Sequence, residues 1–226
     1  MNNEQTIQRI RTSLVAKGLM KGTETATQGT LRLLSNVDGT FQAPQFNVLE
    51  NVGTTFVTEQ RLALTDMFTV THWGLYIGRA AKAGTTSTAA EMANMKLYTN
   101  NSPLVFTTTG DNLNTYYNGT MSITIDRDKI IDRIDIKRFW RVGTANEGLQ
   151  QTVTATVGLY PLDEWVGPNY GMSECDPNIT FNGAGQNTIE VQAAAAVSTA
   201  PTGAFSNHLV LMMRGIRWQN ASRLNG

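Results

Sequence analysis

Residues 54–80 read TTFVTEQRLALTDMFTVTHWGLYIGRA, and the phase of their apolar residues decides the fold. Side chains of a strand alternate between two faces, so apolar residues two apart share a face. Phe68 and Val70 share one phase; Trp73, Leu75 and Ile77 share the other. A strand keeps both sets buried only if its phase shifts once between Val70 and Trp73. A β-bulge, or a strand crossing the corner of a sandwich, makes that shift.

Outward from this block the strand signals repeat. KLYTNNSPLVFTTTG (96–110) and NTYYNGTMSITID (114–126) look like hairpin partners around turns, and QQTVTATVGLYPL, NTIEVQAA and NHLVLMMRGIRWQN complete eight or nine strands. TAAEMANMK interrupts them: Thr88 and Glu91 fit a capping box and open a short helix within a long connection. The pattern predicts an all-β jelly-roll sandwich with long loops, its body spanning residues 41–226. Ahead of it, EQTIQRIRTSLVAKGLMKG sets Ile7, Ile10 and Leu14 on one helical face, so residues 1–22 are expected to form an amphipathic arm ending near Gly18 or Gly22. Residues 23–40 read as a polar connector with a turn at VDGT.

Composition agrees with many short strands and polar loops. Of 226 residues 41% are hydrophobic and only 16% charged, while 31 Thr and 19 Asn supply uncharged polarity. Formal net charge is zero but unevenly placed: Arg9, Arg11, Lys17 and Lys21 against Glu4 give the first 22 residues +3, and Arg214, Arg217 and Arg223 give residues 209–226 another +3. Zero net charge removes the repulsion that keeps copies apart. Cys175 is alone, which excludes an intrachain disulfide and a cysteine-based metal cluster. No apolar run has the length of a signal peptide or a membrane span, so synthesis in a cytoplasm is expected, and the sequons at Asn100, Asn118, Asn178 and Asn220 read as chance products of an Asn- and Thr-rich chain.

MSITIDRDKIIDRIDIKRFWRV (121–142) concentrates charge: ten of the chain's 36 charged residues lie between Asp126 and Arg141. Asp126 and Asp128 fit the first positions of a calcium loop, but Ile131 replaces its glycine and Lys137 its closing glutamate. The aspartates are also neutralised by neighbouring cations. Mixed charge of this density on strand faces suits a subunit contact, and Asp126, Asp128, Asp132, Arg133, Asp135 and Lys137 are its expected residues. No cofactor or metal is expected. His72 and His208 stand in no metal-ligand spacing, GMSEC (171–175) misses the nucleophile-elbow pattern, and GRAAKAGTT (78–86) lacks the lysine of a phosphate loop. Two rival chemistries need Ser173 or Cys175 beside His208 as a hydrolase, or Tyr160, Trp165 and Tyr170 as a glycan platform in YPLDEWVGPNYGM.

Taken with the arm, the strand block RLALTDMFTVTHWGLYIGRA and the closing strand HLVLMMRGIRWQNASRLNG, the chain resembles the jelly-roll major capsid proteins of tailless icosahedral viruses, particularly bacteriophages. The resemblance implies two four-stranded sheets, many copies per particle, other virion proteins as neighbours, and no enzyme activity. It places the protein in a virion, with Arg9, Arg11, Lys17, Lys21, Arg214, Arg217 and Arg223 toward a nucleic acid or an internal viral membrane. The chain is short for a double jelly roll, so a single one is expected. The alternative is a carbohydrate-binding β-sandwich of a phage fibre or adhesin, acting through Trp165 and Tyr170.

Overall fold

A computed structural model describes residues 3–50, 58–98, 114–140, 172–199 and 205–221. Eight strands build two facing antiparallel sheets. In chain order they are β1 (Thr25–Asn36), β3 (Gln45–Asn47), β4 (Met67–Ala81), β6 (Thr120–Ile125), β7 (Asp128–Asp135), β8 (Ser173–Asn182), β9 (Asn187–Gln192) and β11 (Phe205–Gln219). The first sheet orders β1-β11-β4-β8, with β5 (Lys96–Tyr98) beside the far end of β4; the second orders β3-β9-β6-β7. The first strand therefore pairs with the eighth, the second with the seventh, the third with the sixth and the fourth with the fifth. A long hairpin wrapped into two layers gives this order, which is that of a jelly roll. The short strands β2 (Gly39–Phe41) and β10 (Val197–Thr199) pair separately.

The core lies between the sheets. Leu31, Leu33, Trp73, Leu75, Leu209 and Leu211 from one sheet meet Met121, Ile123, Ile189 and Val191 from the other in one buried cluster. Phe139 closes an edge of it, its ring set edge-on to Trp73 at 5.3 Å.

The expected phase shift is a bulge at Thr71. Pairing runs Arg214 with His72 and then Gly215 with Val70, leaving Thr71 unopposed, and the β4–β8 register shifts at the same place. The Thr71 hydroxyl donates to the Arg214 carbonyl at 3.1 Å. Opposite the bulge the chains approach so closely that a Cβ on Gly215 would stand 1.9 Å from the Thr69 carbonyl oxygen. The capping box also forms: Thr88 caps α2 (Ala89–Ala93) and Glu91 returns a bond to the Thr88 backbone.

Residues 23–40 are not a connector. Most of them form β1, whose register with β11 is continuous from Thr25 to Asn36. The second half of β1 is covered on both faces, since Leu31 and Leu33 enter the core while Leu34 packs under α2, and the strand therefore shows no regular wet–dry alternation to betray it.

The N-terminal arm is a helix, α1 (Asn3–Ala16), but it lies on the body. Ile10 and Leu14, with Ile7 beside them, pack on Met67, Ile216 and Trp218 across the outer face of the first sheet. The helix ends where the sequence predicts: Gly18 takes φ +69°, Leu19 N–H reaches the Leu14 carbonyl at 3.0 Å and Gly18 N–H the Val15 carbonyl at 2.9 Å. These two bonds are the Schellman pattern that only a residue at positive φ closes easily.

Candidate functional site

The acidic segment resolves into structural duties and an exposed remainder. Asp126 and Arg127 are the two central residues of the β6–β7 turn, at φ 50° and 75°, the left-handed pair that a two-residue hairpin requires. The Asp126 carboxylate accepts from Gln186 N–H at 2.8 Å and so fastens this turn to the β8–β9 turn. Asp135 caps a 3-10 turn at Ile136–Phe139 by accepting from Lys137 N–H at 2.8 Å. The ammonium of Lys137 stands 4.4 Å from the Trp140 ring centroid. Asp128 and Arg133 are exposed. Asp132 accepts from Lys129 at 2.7 Å, and that bond with the lysine's charge holds its carboxyl below the usual range.

Among the described residues β7 stands at the edge of its sheet, and Ile130 on it is 52% exposed. Its register against β6 slips twice, between Met121 and Ile123 and between Ile123 and Thr124. Bulges and charges together blunt an edge against strand addition.

Neither rival catalytic pairing forms among the described residues. Cys175 follows Glu174, which pairs with His72, whereas His208 pairs with Gly78 toward the other end of β4. Burial pushes the Cys175 thiol up to about 11, and the thiol donates to the Pro177 carbonyl at 3.6 Å; a protonated, buried thiol is a poor nucleophile. Ser206 hydroxyl lies 3.0 Å from His208 Nε2 and donates to Asp38 at 2.7 Å, so it bridges the other two groups. Ser206 is also buried, which withholds it from substrate. Burial lowers His208 to about 4, partly opposed by the Asp38 charge. The described residues hold no group of three or more His, Cys, Asp and Glu able to share a metal ion. Trp165, Tyr170 and Arg223 lie outside the described residues.

The basic residues divide among several places. Arg11 lies over the Trp218 ring at 5.6 Å and donates to the Glu24 carbonyl at 3.2 Å, so its charge serves α1 docking. Lys17 and Lys21 are exposed beyond the helix. Arg217 pairs with Thr27 and Phe68 on the opposite face from Trp218.

Arg9 and Arg214 converge. Across the outer face of the first sheet, β-pairing aligns Thr30 with Arg214, Arg214 with His72, and His72 with Glu174, so four strands contribute one polar row. α1 covers the sheet on one side of this row and α2 on the other. Between α1 and the start of β8 lies a groove of about 890 Å³, lined by Arg9, Gln28, Thr30, Thr71, His72, Glu174, Asp176 and Arg214 among others. One step along β1 on the same face, Arg32 is half-buried; burial lowers its pKa, and its Nε is shielded from solvent without an acceptor. Only the strand pairing connects these residues, and no local sequence signal marks Thr30, Arg32 or His72.

Compared with known protein families, characterised proteins and solved structures, the chain matches none. The physical reading therefore stands on the fold and the groove.

Proposed function

We propose that this chain is the structural subunit of a viral capsid, self-assembling in many copies into an icosahedral shell around the genome, in a tailless, bacteriophage-type virion beside other virion proteins. The observation that carries the reading is the eight-strand wrap itself, a rigid tile whose core closes between its own two sheets. A tile needs no partner to fold and can present its loops and edges to neighbours. Zero net charge lets copies approach, and the blunted β7 edge favours side-chain contacts over open-ended strand addition. Asp128, Asp132 and Arg133 are the contact residues left free of structural duty within that segment. Because α1 spends its apolar face on its own body, the reading assigns to the arm a basic outer surface rather than a reach into a neighbour.

The test is the mass distribution of purified protein by light scattering, with negative-stain imaging, at physiological and high salt. Capsomers, sheets or closed shells are expected. A strict monomer at high concentration, with and without added nucleic acid, would sink the reading.

A further inference from the structure

We infer that the groove between α1 and β8 binds the sugar–phosphate backbone of a single-stranded nucleic acid, with Arg9 and Arg214 as phosphate contacts within it and Arg32 as the contact where the strand leaves it along β1. The inference deepens the proposed function by naming the site of an enclosed strand, and it rests on that reading only for the strand's identity as genome.

Four observations carry it. Arg9 of α1 and Arg214 of the sheet both line the groove, so an anion in it meets a guanidinium from wall and floor. Arg32, beside the groove and one step along β1 on the same face, is a half-buried cation whose burial lowers its pKa; a partly desolvated guanidinium gains from a nearby oxyanion. Arg32 pairs with Met212 and Arg214 with Thr30, which makes the arginines diagonal neighbours, roughly 7 Å apart, a span that suits successive phosphates better than a single small anion. Gln28 and Thr30 add uncharged donors along the same path.

Shape and composition select among phosphate-bearing partners. α1 and α2 stand above the sheet on either side of the polar row, so a flat bilayer is held away from Arg214 at the groove floor. Among the described residues no Trp, Tyr or Phe lines it, so the contacts these residues offer fall on the backbone without regard to sequence. The carboxylates of Glu174 and Asp176 line the β8 side. They repel phosphate there and confine the strand to the β1–β11 side.

The experiment measures labelled oligothymidylate binding to unassembled full-length protein by fluorescence anisotropy over a salt series. Three phosphate contacts give a log–log slope of about −2, since each contributes roughly 0.7 on a single strand. Arg9→Gln and Arg32→Gln should each weaken binding ~3- to 10-fold and reduce the slope by about 0.7. Glu174→Gln, an exposed and opposite change, should tighten it. Lys96→Gln, an exposed cation on β5 at the far end of β4, should leave it unchanged. Equal loss with Lys96→Gln would show diffuse charge attraction and overturn the groove. So would absence of oligonucleotide binding, or binding only to phosphatidylserine vesicles. Shell formation without oligonucleotide binding would sink this inference alone, whereas groove-specific binding by a protein that never assembles would sink the shell reading alone.

Discussion

Gly215 and His208, seven residues apart on one strand, show how tightly single positions are held. A methyl group on Gly215 would meet the Thr69 carbonyl at 1.9 Å, and that atom is backbone held by the β4–β11 ladder. Gly215→Ala therefore forces the bulge to open. It should cost at least ~2 kcal/mol of unfolding free energy by urea titration; a change below about 0.5 kcal/mol, the range of a neutral surface substitution, would mean the bulge is soft. His208 is held neutral, with a pKa of about 4 in place of 6.5. Above pH 6.5 neither folded nor unfolded chain carries the proton, and the residue makes no pH-dependent contribution. As pH falls from 6.5 toward 4 the unfolded chain takes up the proton first, so stability declines, by about 3 kcal/mol over the whole window. Urea titrations between pH 7 and 4 should show that decline in the wild type and a flatter dependence in His208→Gln. The same slope in both would assign the acid sensitivity to carboxylates.

At the scale of elements, α1 depends on its docking. Fourteen residues are near the limit for an isolated helix in water, whereas Ile10 and Leu14 on Trp218 bury side chains worth roughly 1.5–3 kcal/mol each. Those contacts form a cluster apart from the main core. Removal of residues 1–21 should therefore leave a folded sandwich with lowered Tm and newly exposed Trp218, read by a red-shifted tryptophan emission. An unchanged Tm would mean that α1 does not stay on the body. The same elements show why some structure was legible in the sequence. The Thr88–Glu91 cap and the Gly18 stop are written within a few neighbouring residues, and the Thr71 bulge shows as a phase change along one strand. β1 escaped because its buried half is covered on both faces, while its first half, with Thr and Gln around Gly29, mimics a loop. The groove escaped for a different reason: Thr30, His72, Glu174 and Arg214 come from four strands far apart in sequence, and only the register aligns them.

For the whole molecule the capsid proposal turns on the exposed charge of β7 as the surface offered to other copies. Lys129 and Asp132 pair with one another and are largely exposed, at 57% and 73% of their side-chain surface. Exchanging them, Lys129→Glu with Asp132→Lys, keeps a local pair but inverts the pattern shown to a neighbour. Monomer stability should move by no more than about 0.5 kcal/mol, as for exposed ion pairs generally, while association measured by light scattering should weaken. Association at wild-type strength would remove this segment from the contact.

The pairing of first strand with last has a consequence for how the molecule is made. β11 is the middle neighbour of β1 and β4, so the principal sheet has no centre until residues 205–219 have been synthesised. A ribosome releases β1 and β4 long before that, and they wait as unpaired partners. A product cut short before β11 lacks the strand that joins β1 to β4, so the principal sheet can close only after residues 205–219 have emerged.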